Sequence, residues 1–107
     1  MDQRTRRIRD LNDHVRTTLK DCRLLITPGV QAMDDLEAIL AKLRAFDSFT
    51  AANDPYGEHD FGAFEHNEQT LFWKIDTYDL DLTMHSPDPS DPTVTGRVLT
   101  VILAEEY

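Results

Sequence analysis

The chain has 107 residues and a formal charge of −9, from 20 Asp and Glu against 11 Lys and Arg, and 40% of its residues are hydrophobic. The length and the hydrophobic content predict one domain over residues 1–107, while the negative charge disfavours direct binding to nucleic acid because phosphates would be repelled. The longest apolar run, Val101–Ala104, is too short to cross a membrane, and no apolar core of a signal peptide follows residues 1–7, so a soluble, cytoplasmic protein is expected.

The N-terminal half, residues 4–46, is predicted to be mainly helical. A first helix over residues 4–20 is predicted from apolar residues that recur every three or four positions: Ile8, Leu11, Val15 and Leu19. The same spacing predicts a second helix that contains Met33, Leu36, Leu40 and Leu43. Between the two helices, the apolar run Leu24–Ile26 indicates a short buried strand, and the Pro28-Gly29 pair indicates a turn after it.

The half from residue 53 to residue 107 is predicted to be rich in β-strands. Strands over residues 61–65 and 70–75 form a hairpin in which residue numbers that sum to 135 face each other. If the hairpin closes with a two- or four-residue loop, this register places Phe61 opposite Lys74 and His59 opposite Asp76, whereas a shift of one residue places Asp60 opposite Asp76 instead.

Two further strands are predicted after this hairpin. The apolar positions are odd up to Ile75 but even from Tyr78 to Met84, so a bulge or turn near Asp76-Thr77 is expected to separate two strands. Residues 98–104 are nearly all apolar, as in a central strand. The sequence therefore predicts an α+β fold, with two helices packed on a mainly antiparallel sheet of about four to five strands.

The most distinctive segment is Asn53–Gly62. Together with residues 72–76, 79–82 and 97–107 it resembles an uncharacterised bacterial family, a domain of unknown function found in small, acidic, single-domain proteins. The resemblance implies a stand-alone protein of the kind often encoded on plasmids or other mobile elements. It implies no activity, ligand or catalytic residue.

One hypothesis for this segment is a metal site. In the predicted hairpin His59 and Asp60 meet Asp76, and Asp79 follows shortly after, which gives an oxygen-rich set with one imidazole. Such a set suits Mg²⁺ or Mn²⁺, and the metal would activate water for phosphodiester hydrolysis. The alternative is that these residues form the solvent-exposed side of an amphipathic strand and its turn.

The distribution of charge supports the preferred hypothesis, a non-enzymatic interaction protein, to which the metal-dependent hydrolase is the alternative. Residues 53–92 contain ten acids and a single base, and the acids are expected to form a negative surface on the sheet. That surface would bind a basic protein surface, for example that of a nucleic-acid-binding protein, as a nucleic-acid-mimicking inhibitor with an anti-defence or plasmid-related role. The predicted partner-binding residues are Glu58, Asp60, Asp76, Asp79, Asp81, Asp88 and Asp91. The alternative is an acidic surface that only keeps a small protein in solution.

Overall fold

Three helices pack on one face of a four-stranded mixed sheet, and a computed structural model describes all 107 residues. The elements in chain order are α1 (Gln3–Thr18), β1 (Arg23–Ile26), α2 (Pro28–Gln31), α3 (Leu36–Arg44), β2 (Phe61–His66), β3 (Gln69–Tyr78), β4 (Gly96–Leu103) and a 3₁₀ turn (Ala104–Glu106). This is an α+β fold with a mostly antiparallel sheet, as predicted. None of the helices combines the length and the apolar character that a membrane crossing requires.

The strands are ordered β1-β4-β3-β2, so β4 has a neighbour on each side as predicted. The short β1 runs parallel to β4, and the other pairs are antiparallel. In the β2–β3 hairpin Phe61 faces Lys74, which confirms the predicted register. The hairpin closes through Asn67 and Glu68, whose φ angles of 49° and 66° are those of a two-residue turn with left-handed backbone.

The core lies between the sheet and the helices. Leu71, Trp73 and Ile75 point from β3 toward the helices, and all three are buried. They are joined by buried side chains from the other elements: Val15, Val30, Ile39, Leu43, Leu99, Val101 and Leu103. The alternation of β3 is therefore the pattern that decides which face of the sheet the helices cover.

The segment after β3 differs from the prediction. Strand β3 continues without a bulge through Asp76 and ends at Tyr78, and residues 79–84 form a tight turn rather than a strand. The Asp79 N–H donates to the Met84 carbonyl (2.8 Å), and Leu82 has a positive φ of 59° and covers Gly96. The even-numbered apolar residues thus reflect a turn that folds back on β4, so the predicted strand is wrong.

The single-turn helix α2 was not predicted. Its first residue is Pro28, whose fixed φ suits the first position of a helix. The Glu106 carboxylate accepts hydrogen bonds from the Gly29 N–H (2.9 Å) and from the Thr27 hydroxyl (2.7 Å). The 3₁₀ turn after β4 therefore stabilises the start of α2, over a sequence distance that local patterns do not reveal.

Candidate functional site

The acids predicted to bind a partner lie at one end of the sheet, where β2 begins, β3 ends and β4 begins. Only Asp76 belongs to a strand, and the other six lie in the loops of residues 53–60 and 79–95. We call Asp76 together with these two loops the acidic end. The expectation of an acidic sheet face is thus corrected: Asp79 and Asp81 lie in a turn, and the acids gather because three strand ends meet here.

The two loops of the acidic end are held to helix α1 through Asn12, which is 1% exposed. The Asn12 Nδ2 donates to the Glu58 carbonyl (2.9 Å), and its Oδ1 accepts from Arg97 Nε (2.8 Å). Arg97 in turn donates through Nη2 to the Pro89 carbonyl (2.6 Å). Arg9 adds a hydrogen bond to the Gly57 carbonyl (2.7 Å). One buried amide therefore connects α1, both loops and β4.

His59 turns toward the helices and away from Asp76. Its backbone has a positive φ of 54°, and its ring stacks on Phe49 with the centroids 3.6 Å apart. Nδ1 lies 2.8 Å from Asp13 Oδ1, and Nε2 lies 3.5 Å from Asp54 Oδ2. The predicted pairing of His59 with Asp76 is wrong because the left-handed turn at His59 ends the strand geometry two residues before β2 begins.

The residues of the metal hypothesis are not brought together. Asp60 and Asp76 line one open groove of about 220 Å³ that His85 also borders. His59 faces Asp13 instead, and the Asp79 carboxylate accepts a hydrogen bond from the Thr83 N–H (3.1 Å) inside its own turn. Nowhere does the chain gather three or more His, Cys, Asp and Glu side chains in a metal-binding arrangement. The geometry does not assemble the predicted Mg²⁺ or Mn²⁺ ligands.

Three of the acids hold the shape of their own loops. Asp79, Asp88 and Asp91 each accept a backbone hydrogen bond at 2.9–3.1 Å from an N–H two to four residues later in the chain. Side-chain and backbone hydrogen bonds lower the pKa of Asp79 and of Asp88, which also lies 3.6 Å from Arg4. Asp76 is paired with Lys74 at 3.0 Å. These four acids therefore have structural partners within the chain.

Glu58 and Asp60 have no such partner in another residue. Neither carboxylate forms a salt bridge or accepts a hydrogen bond from another residue's side chain. Burial, together with the neighbouring Asp60 charge, raises the pKa of Glu58, although Arg4 and Arg97 oppose that rise. Burial also raises the pKa of Asp60, and the charges of Asp54 and Asp76 add to that rise, although a hydrogen bond from its own backbone N–H and the charge of His59 oppose it. The ionised form of each carboxylate is therefore less stable in the fold than in water, and carboxylates perturbed in this way are concentrated at functional sites.

We expect Asp60→Asn to raise the melting temperature at pH 7. The folded-state pKa of Asp60 lies above its unfolded value, so its contribution is most favourable when the group is protonated and is lost as the pH rises through the folded pKa. The gain should shrink as the pH falls and vanish below the ordinary pKa of aspartate, about 3.9. Thermal unfolding followed by circular dichroism between pH 3.5 and 7 would measure it, with about one step per half unit of pH.

Asp79→Asn is the matched control, because its expected change in melting temperature at pH 7 has the opposite sign. Hydrogen bonds lower the pKa of Asp79, so its contribution is present above the unfolded pKa and is lost as the pH falls. This variant should melt at a lower temperature than the original chain at pH 7 and approach it in acid. If both variants moved the melting temperature in the same direction, the assigned strain at Asp60 would be wrong.

The sequence profile of a family described as protein of unknown function DUF3768 matches residues 26–106. The chain belongs to this family. The match includes all of the acidic end, which confirms the resemblance seen at Asn53–Gly62 to a family of unknown function. Helix α1, which holds the loops through Arg9 and Asn12, precedes the matched residues. Comparison with curated proteins found no match, and comparison with solved structures found none either.

Proposed function

We propose that this chain is a non-enzymatic interaction protein that binds a basic protein surface through its acidic end. The observation that carries the proposal is the pair Glu58 and Asp60, two partly buried carboxylates with raised pKa values and no salt bridge within the chain. A fold that keeps partly buried charges without direct ion pairs at one place gives up stability there, and a cationic partner would recover it.

The rest of the acidic end supports the same function. Asp79, Asp88 and Asp91 fix the loops through their hydrogen bonds while still contributing negative charge. The Asp81 side chain lies exposed at the tip of the turn after β3. A surface of this kind attracts a basic partner at long range and fixes its orientation at short range.

The class of partner follows from the charge. Basic protein surfaces that hold nucleic acid recognise a series of negative charges, and the carboxylates of the acidic end would imitate phosphates. In its most specific form, the proposal is a bacterial, cytoplasmic inhibitor with an anti-defence or plasmid-related role. A phosphodiesterase function has no comparable support, since His59 lies between two carboxylates and an aromatic ring rather than beside Asp76.

The test is binding to an arginine-rich peptide of about ten residues, measured by fluorescence anisotropy at low ionic strength. Glu58→Gln/Asp60→Asn is expected to raise the Kd about tenfold, which corresponds to about 1.4 kcal/mol. Glu68→Gln/Glu105→Gln is the matched control, because it removes the same charge from exposed positions at the opposite end of the sheet. That control should raise the Kd less than about twofold, as expected for distant charges.

Salt gives the second measurement. Binding through the acidic end should weaken steeply between about 50 and 200 mM salt, since screened charges attract each other less. Equal losses in the two double variants would show that only net charge matters, and the proposed site would be wrong. Binding that is insensitive to salt would exclude a charge-driven interface altogether.

A further inference from the structure

A groove of about 340 Å³ lies between helix α1 and the loop that precedes β4. Leu11, Val15 and Pro92 form its apolar wall, and Arg97 and His14 contribute its basic groups. Its volume is at the lower end of the range for small-molecule sites, roughly 300–1,000 Å³. The groove is separate from Glu58, Asp60 and Asp76, none of which lines it.

Arg97 is the unusual group in this groove, because it is 5% exposed and no carboxylate lies within 4 Å of its guanidinium. Two of its nitrogens donate within the chain, to Asn12 Oδ1 and to the Pro89 carbonyl. The third, Nη1, has no hydrogen-bond partner, yet it is not sealed from solvent. Glu58 interacts electrostatically with this charge but makes no ion pair with it. A buried positive charge without a directly paired counterion is costly, and a bound anion would offset that cost.

We infer that the groove binds a small organic carboxylate, whose oxygens contact Arg97 Nη1 and whose apolar part packs on Leu11 and Val15. Arginine recognises carboxylates through its planar array of donors, which suits a site where the guanidinium is already oriented by two hydrogen bonds. The one carboxylate in the lining, Asp21, is already paired with His14 Nε2 at 2.7 Å. It therefore competes less for Arg97 than a free carboxylate would.

The overall charge makes this inference easy to test. A chain of net charge −9 repels anions in bulk, so an anion that binds must be held by local contacts rather than by general attraction. Isovalerate and benzoate are suitable probes, and isovaleramide keeps the shape of the first without its charge. We expect both carboxylates to bind the full chain with a Kd in the low millimolar range or below, about −4 kcal/mol or better.

Chemical-shift changes in titrations of the ¹⁵N-labelled chain would locate the site. The amides of Val15, Thr95 and Arg97 should respond to isovalerate but not to isovaleramide. Inorganic phosphate should bind at least about fivefold more weakly than isovalerate, since it gains nothing from the apolar wall. Equal binding of the amide would overturn the role of Arg97, and phosphate binding as tightly as isovalerate would overturn the ligand class.

Two variants complete the test. Leu11→Trp fills the groove without touching the hydrogen bonds of Arg97, and we expect it to raise the Kd for isovalerate at least about tenfold. Gln3→Trp, an equally large change at the exposed start of α1, should leave the Kd unchanged. Arg97→Lys keeps the charge but loses the planar donors, and a loss of about tenfold is expected there too. Unchanged binding in a folded Leu11→Trp variant would overturn the site.

Discussion

Replacing Asn12 with leucine is expected to lower the free energy of unfolding by about 3 kcal/mol, although the two side chains share the same γ-branched shape. The substitution removes the amide that donates to the Glu58 carbonyl and accepts from Arg97 Nε, both in a buried setting. Leaving part of a buried guanidinium unpaired is the larger cost, since hydrogen bonds to charged groups contribute about 1.5–3 kcal/mol. For a chain of this length the melting temperature should fall by about 10–20 °C.

Asn12→Asp separates the two hydrogen bonds. Aspartate keeps the oxygen that accepts from Arg97 but cannot donate to the Glu58 carbonyl, so a smaller loss is expected, about 1–2 kcal/mol. Chemical denaturation of both variants would measure the difference. If Asn12→Leu cost less than about 1 kcal/mol, the amide would not be what holds the two loops to α1.

Asn12→Leu also tests whether partner binding depends on the positions of the carboxylates at the acidic end. Asn12→Leu leaves the net charge at −9 but removes one of the contacts that hold loop 53–60 to α1, with those of Arg9 and Asp13 remaining, so the Glu58 and Asp60 carboxylates are positioned less firmly. We expect weaker binding to the arginine-rich peptide at a temperature where the variant is still folded. Unchanged binding would mean that the acids act through their number rather than through their geometry.

The hairpin was predictable because local and long-range requirements agree in it. Leu71, Trp73 and Ile75 alternate with polar or half-exposed neighbours, which leaves only one face for the core. The short polar segment His66–Gln69 limits the connection to a few residues, and these two constraints determine the register. The position of Phe61 opposite Lys74 follows from them.

The turn after β3 could not be read from the pattern of apolar residues. Leu80 and Met84 are spaced as in a strand but are 64% and 71% exposed, whereas Leu82 covers Gly96. The strand ends just before Asp79, whose carboxylate accepts hydrogen bonds from the backbone N–H groups of Thr83 and Met84, later in the chain. A side chain that accepts hydrogen bonds from nearby backbone N–H groups competes with the hydrogen bonds between strands. The spacing of apolar residues carries no information about this competition.

The candidate site was predicted in part. The sequence indicated that the seven predicted partner-binding acids belong together, and they do lie at one end of the sheet, whereas Glu65 and Glu68 lie toward the other end. It gave no sign that Asn12 and Asp13 contact loop 53–60, because a polar residue in a helix usually faces solvent. The left-handed φ of His59 could not be predicted from the sequence either, because the turn and not the residue type requires it. These contacts join residues 46 positions apart, and no local pattern records such a distance.

Gly62→Ala should destabilise the protein by about 2–3 kcal/mol, the upper part of the range for overpacking a core. Gly62 lies on the helix-facing side of β2, where an added Cβ would overlap Trp73 Nε1 and come within 2.7 Å of Phe46 Cζ. Neither ring can move easily. Trp73 is fully buried, and Phe46 packs edge-on against both Trp73 and Phe49.

A second substitution shows whether the clash with Phe46 is the cause. Phe46→Leu removes the ring that the new methyl group meets, so Gly62→Ala/Phe46→Leu should be less destabilised than the sum of the single variants by about 1 kcal/mol. Strict additivity would assign the cost to Trp73 alone. Because Phe49 is the ring on which His59 stacks, Gly62→Ala should also shift the His59 resonances. Such a shift would show that the packing of Phe46 and Phe49 around Gly62 positions loop 53–60 from the side of β2, as Asn12 positions it from α1.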